Sequence, residues 1–168
     1  MIHEYFHRKR MKVLSKYLRD KAALDIGAGK LPKGEVTLDI LQKLSPQVLG
    51  EVTHLPFRPD TFSSIVCSHV IEHVGNPDQA MDEISRVLED GGIAFFFLPD
   101  DSSFLWSHIE GIWTAYYSRF VMKEASPDTH LSSFDFESFR RLLSNHFGEV
   151  LKMGRLNFGM EICAVCKK

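Results

Sequence analysis

The chain has 168 residues, 44 % of them hydrophobic, with a formal charge of −2. This suits one globular domain, residues 1–168, and is too short for two. The balance of 20 basic and 22 acidic residues gives no electrostatic ground for a nucleic-acid partner. No apolar run approaches the ~20 residues of a membrane span, and the charged N-terminus lacks the apolar stretch of a signal peptide, so a cytoplasmic protein is expected. Cys67, Cys163 and Cys166 form no even disulfide framework, and Cys163-x-x-Cys166 sits in an apolar strand pattern rather than a metal or redox motif.

Taken in order, residues 1–21 form an amphipathic helix, with apolar positions at Ile2, Phe6, Val13, Leu14, Tyr17 and Leu18 and a basic face that reads as solvated surface. Leu24–Ile26 reads as the end of a buried strand. Gly27 and Gly29 then make a sharp turn where a ligand can press against bare backbone. Val36–Ile40 is a second strand carrying Asp39. The segment between the strands is too short for the ten to twelve residues of a parallel crossover and contains Pro32, so the first crossover helix is shortened or absent.

A dinucleotide site wants a third glycine opening a helix and an acid about 20 residues further on. Here Pro32 takes the glycine's place and Asp39 follows Gly29 by ten residues. NAD and FAD are therefore disfavoured, whereas a nucleoside without phosphates fits. An acid at the carboxyl end of a second parallel strand points into the ligand crevice, where it can accept hydrogen bonds from vicinal ribose hydroxyls.

Further along come Leu55-Pro56-Phe57, the Phe62-x-x-Ile65-Val66 strand, Glu72-His73-Val74 and Arg86-Val87-Leu88-Glu89-Asp90-Gly91-Gly92. With Leu24–Gly29, these blocks resemble the class I S-adenosylmethionine-dependent methyltransferases, and more closely the small ones with Leu-Pro-Phe and Glu-His-Val motifs. The likeness runs from Leu24 to Pro99. It implies a three-layer, Rossmann-like α/β fold with a mostly parallel seven-stranded sheet and one antiparallel strand.

It further implies S-adenosyl-L-methionine as cofactor. Asp25, Gly27, Ala28 and Gly29 would line the methionine and ribose part, Asp39 the ribose hydroxyls and Ile40 the adenine flank. Glu51, where the family more often has aspartate, would sit near the adenine amino group, with backbone contacts from Val52 and Thr53. Cys67, Ser68 and His69 would face the transferred methyl.

Asn76-Pro77 is a helix start and Gly91-Gly92 the expected stop. Ile93–Leu98 is a strand buried on both faces. From Phe104 to Met122, Leu105, Ile109, Ile112, Trp113, Tyr116, Tyr117 and Phe120 recur at helical spacing. In the family, elements that cover the substrate are inserted here, so residues 101–130 read as a lid, with a core-packed face or a dimer contact as the alternatives. His130 leads into a helix carrying Phe139, Leu142, Leu143 and Phe147. A terminal hairpin follows around Asn157-Phe158-Gly159.

Displacement on a sulfonium needs alignment more than an obligatory catalytic constellation. For a hydroxyl acceptor a base is useful, and His69 is the first candidate, followed by His73, His130 and Asp100, with His108 in the lid. His54 and His146 read as structural or exposed. Glu72-His73 and Asp100-Asp101 lack a recognised ligand spacing, so no metal is expected. The expected acceptor is a small molecule or a lipid- or sugar-linked intermediate, and a homodimer is compatible with the pattern. The alternative is an S-adenosylmethionine-binding partner or regulatory protein without its own transferase activity.

Overall fold

The computed structural model describes residues 2–18, 22–103 and 130–168. The N-terminal helix ends at Leu14, short of the expected residue 21, and residues 15–17 form a turn; residues 19–21 and the aromatic segment 104–122 with His108 lie outside the described residues. Seven strands form one sheet: β1 (Ala22–Ile26), β2 (Gly34–Asp39), β3 (Val48–Leu49), β4 (Phe62–Ser68), β5 (Leu88–Pro99), β6 (Glu149–Leu156) and β7 (Glu161–Lys167). Their order is β3-β2-β1-β4-β5-β7-β6, with β7 antiparallel to both neighbours and every other pair parallel. The chain runs outward from β1 to β3 and then returns to the other side of β1 as β4. This reversal opens a crevice at the carboxyl ends of β1 and β4, where doubly wound sheets bind ligands.

Helix α1 (Ile2–Leu14) covers one face of the sheet, and α2 (Pro77–Val87) and α3 (Phe136–His146) cover the other. Val13 and Leu14 pack with Val66, Phe95, Phe97 and Val165. On the opposite face Met81, Ile84, Phe139 and Leu143 pack with Ile26, Ile65, Phe96 and Ala164. Because the Ile93–Leu98 part of β5 is sandwiched between these layers, its sequence is continuously apolar rather than alternating. Cys163 and Cys166 fall in the cores of opposite faces, and burial pushes both thiols up to about 12.

No helix separates β1 from β2, as the short link and Pro32 predict. The α2 start is capped by Asn76, whose side chain accepts from Gln79 N at 3.3 Å, with Pro77 next. Its end differs from expectation. The helix stops at Val87, and Leu88 turns extended to pair with Phe62, so Gly91-Gly92 lies within β5 where the register to β4 shifts. Strand pairing thus overrides the glycine stop signal. The terminal hairpin forms as expected, with a 3-10 turn over Asn157–Gly159.

Candidate functional site

The turn after β1 is fastened to the end of β2. Gly27 and Ala28 N–H both donate to Leu38 O, at 2.8 and 3.3 Å. Gly29 N–H donates to Asp39 Oδ2 at 3.1 Å, and Leu41 N–H to Asp39 Oδ1 at 2.9 Å. Gly27 and Gly29 have φ of +66° and +58°, and a Cβ on Gly27 would lie 2.2 Å from Val70 Cγ2. The turn therefore needs glycine at 27 for both conformation and space. Ala28, Gly29, Pro32, Thr37, Asp39, Leu44, Ser45 and Pro46 line a recess of about 50 Å³ at this edge. Ile40, beside Asp39, is 66 % exposed, an apolar surface at the rim.

Asp25 is fully buried. Its Oδ2 accepts from Lys33 N–H at 2.6 Å and lies 3.8 Å from Lys33 Nζ, whereas Oδ1 has no hydrogen-bond partner among the described residues. Burial pushes the Asp25 carboxyl above its ordinary value, and Lys33 opposes this only in part. Lys33 is itself buried and lowered, again with burial as the main cause. Glu51, Val52 and Thr53 form a turn closed by His54 N–H donating to Glu51 O at 3.1 Å. Thr53 Oγ1 donates to Glu51 Oε1 at 2.9 Å, while the Val52 side chain belongs to the core.

At the end of β4 the structure corrects two expectations. Cys67 points its thiol into the core rather than toward the crevice, with burial raising its pKa well above the ordinary value. His69, reached through buried Ser68, is not a free base, because both ring nitrogens are engaged. Its Nε2 lies 2.6 Å from Arg10 Nη2 and 3.0 Å from Glu161 Oε1, and its Nδ1 lies 3.2 Å from Glu72 Oε1. Burial and Arg10 push the imidazole pKa down, and the carboxylates of Glu161 and Glu72 reverse this, leaving it above the usual value.

The backbone of His69 is left-handed, φ +56°, a strained state for a residue other than glycine. Arg10 Nε also donates to Glu161 Oε1 at 2.6 Å, and Asn157 Nδ2 donates to Glu161 Oε2. Arg10, Glu161 and Asn157 are all buried. The basic face of α1 is therefore not wholly solvated.

Asp100 is corrected as well. It is fully buried, with Oδ1 accepting from Ser102 and Oδ2 paired to Arg155 Nε at 2.6 Å, so its lone pairs are committed to holding a turn. His73, exposed, stacks edge-on with His130 at 5.1 Å between ring centroids. His146 bridges Asp78 and Asp82 and so ties α3 to α2, and His54 bonds Thr53 and Gln79. Arg10, Lys33, Glu161 and Asn157 were not singled out from sequence. Only Glu161 carries a signal there, as the one acid at the head of an otherwise apolar strand.

A doubly wound sheet with a two-glycine turn bonded to an acid on the adjacent strand is the architecture of a nucleoside-binding α/β protein. Residues 11–96 match the family described as methyltransferase domain, and the chain belongs to it, among the class I S-adenosylmethionine-dependent methyltransferases. It is 32 % identical over 77 residues to a demethylmenaquinone methyltransferase of Streptomyces avermitilis, covering 44 % of this chain and 31 % of that one. It is 24 % identical over 114 residues to an uncharacterised protein of Methanocaldococcus jannaschii, covering 66 % and 46 % respectively. The chain thus spans less than half the length of these relatives. The fold is shared with a crystal structure from Thermotoga maritima of an S-adenosylmethionine-dependent methyltransferase, described as a possible histamine N-methyltransferase. The TM-score is 0.68 at 19 % identity, over 95 % of this chain and 87 % of that one.

Proposed function

We propose that this protein transfers a methyl group from S-adenosyl-L-methionine to a small-molecule or lipid- or sugar-linked acceptor. The observation that carries the reading is the Gly27–Gly29 turn bonded to Asp39, a side-chain-free cradle beside a carboxylate at the mouth of the crevice. Two backbone N–H groups occupy one lone pair on each Asp39 oxygen, and the remaining lone pairs suit a vicinal diol. The orphaned, buried Asp25 Oδ1 suits the ammonium of the methionine part, which would supply its missing donor.

Asp39 fixes the ribose and Gly27–Gly29 admits it. Ile40 offers an apolar surface to the adenine, and Glu51 and Thr53 are the hydrogen-bonding groups assigned to its amino group. The bound cofactor supplies a methyl already activated by a positive sulfonium. What the chain must then contribute is orientation, which by itself can lower a barrier by roughly 7 to 11 kcal/mol. Ser68 and His69 end β4 at the methyl side, and His69, fixed through both ring nitrogens, shapes this wall as a positioning residue. The match to a demethylmenaquinone methyltransferase supports a small acceptor over a polymer.

Titration calorimetry with S-adenosylhomocysteine, with NAD as control, tests the reading. Micromolar binding of the first and none of the second is expected. Absence of S-adenosylhomocysteine binding overturns it.

A further inference from the structure

We propose that Glu72, His73 and His130 form a binding site for one divalent transition-metal ion. One ligand atom from each lies within 4.8 Å of the other two. Donor atoms bound to a metal at 2.0–2.2 Å in a tetrahedron stand about 3.3–3.6 Å apart, so the cluster needs to close by little more than ~1 Å. The exposed His73 ring can supply this by rotation.

The second observation is Glu72 itself. The residue is only 2 % exposed, and neither carboxylate oxygen has a hydrogen-bond donor among the described residues. His69 Nδ1 stands 3.2 Å from Oε1 as an ion-pair contact, its ring shared with Arg10 and Glu161, and Oε2 has no partner at all among the described residues. A buried carboxylate with one oxygen unpartnered is costly, and a bound cation removes the cost.

The fold also builds the site from both sides. Leu131 and Ser132 N–H donate to Glu72 O at 2.9 and 3.0 Å, and Ser132 Oγ donates to Val74 O at 2.8 Å. These bonds pin the segment that carries His130 against the 3-10 turn that carries Glu72 and His73. Two imidazoles and one carboxylate suit zinc, manganese or ferrous iron rather than the all-oxygen shells of calcium and magnesium.

The test uses the untagged full chain, stripped with chelator and titrated with Zn²⁺ against a competing chelator. Co²⁺ absorption serves as a coordination readout. One equivalent is expected to bind, with affinity falling at least 100-fold in His73→Ala and in His130→Ala and unchanged in His146→Ala. The Co²⁺ bands should change in the first two variants and not in the third. Neither histidine variant removes the buried carboxylate, so both should fold, as thermal melting will verify. Absence of stoichiometric binding, or binding that survives both variants, overturns the site and leaves Glu72 as a partner of His69 alone.

Discussion

Replacing Asp39 by alanine separates the cofactor reading from a purely structural one. In the structure each carboxylate oxygen already accepts one backbone N–H, from Gly29 at 3.1 Å and Leu41 at 2.9 Å. A ribose diol then donates to what remains. A hydrogen bond to a charged group contributes about 1.5–3 kcal/mol net, so losing the diol's anchor should weaken S-adenosylhomocysteine binding by roughly 10- to 150-fold. The same substitution leaves two amides without their acceptor and loosens the glycine turn, which adds to the loss rather than opposing it. Calorimetry reads the affinity, and a thermal melt on the same sample establishes that the variant is folded. Unchanged affinity in a folded Asp39→Ala protein would refute the assignment of this carboxylate to the ribose.

Gly27→Ala should abolish cofactor binding, because its Cβ meets Val70 Cγ2 at 2.2 Å in a left-handed turn. Gly29→Ala, whose Cβ meets nothing nearer than 4.0 Å, should cost only about 1–2 kcal/mol of backbone strain. Equal affinities in the two variants would contradict the geometry of the turn. Glu161 gives a pH prediction. Burial pushes its carboxyl up, but His69 and Arg10 more than reverse this, so its folded pKa lies below the ordinary value. A lowered folded pKa means stability that is fully present above the unfolded value, about 4.3, and is lost as pH falls through the folded one. Urea denaturation should therefore show a steep acid limb below about pH 4.5 in the wild type and a shallower one in Glu161→Gln. Parallel acid limbs would remove Glu161 as its source.

The parts of the site legible in the sequence are those built from neighbours along the chain. The strand, the two-glycine turn and Asp39 fall within residues 24–39, and Pro32 in a short link forbids the crossover helix that is indeed absent. What stayed hidden depends on contacts between distant positions. Arg10 reads as one more cation on a basic helix until the fold brings it to Glu161, 151 residues away. Glu72-His73 gives no hint in the sequence of its neighbour His130, which arrives beside it through hydrogen bonds from Leu131 and Ser132 to the turn. His69 was legible as a position at the end of β4 but not as a chemical state. Its ring nitrogens are claimed by Arg10, Glu161 and Glu72, three residues from three different elements. The α2 stop departs from the glycine pair for a related reason, since the pairing of Leu88 with Phe62 decides where the helix ends.

The Arg10–Glu161 pair bears on how α1 is seated. Among the described side chains of α1, only Arg10, Val13 and Leu14 are buried, so its apolar contact with the sheet is concentrated at its C-terminal end. A helix held by Val13, Leu14 and the partly buried Met11 at one end can pivot. Arg10 adds a directed contact one turn earlier, with Nε on Glu161 at the start of β7 and Nη2 on His69 at the end of β4. Buried ion pairs are weak contributors to net stability, yet removing one partner is costly because it strands the other. Arg10→Met keeps the length and apolar stem of the side chain but leaves Glu161 with only His69 and Asn157. It should therefore cost about 3 kcal/mol in urea denaturation at pH 7. It should also lower hydrogen-exchange protection selectively in α1, leaving β4 and β5 near the global value. Uniform loss of protection across the sheet would mean that the pair serves the core as a whole. Unchanged protection in α1 would mean that Met11, Val13 and Leu14 suffice to seat the helix.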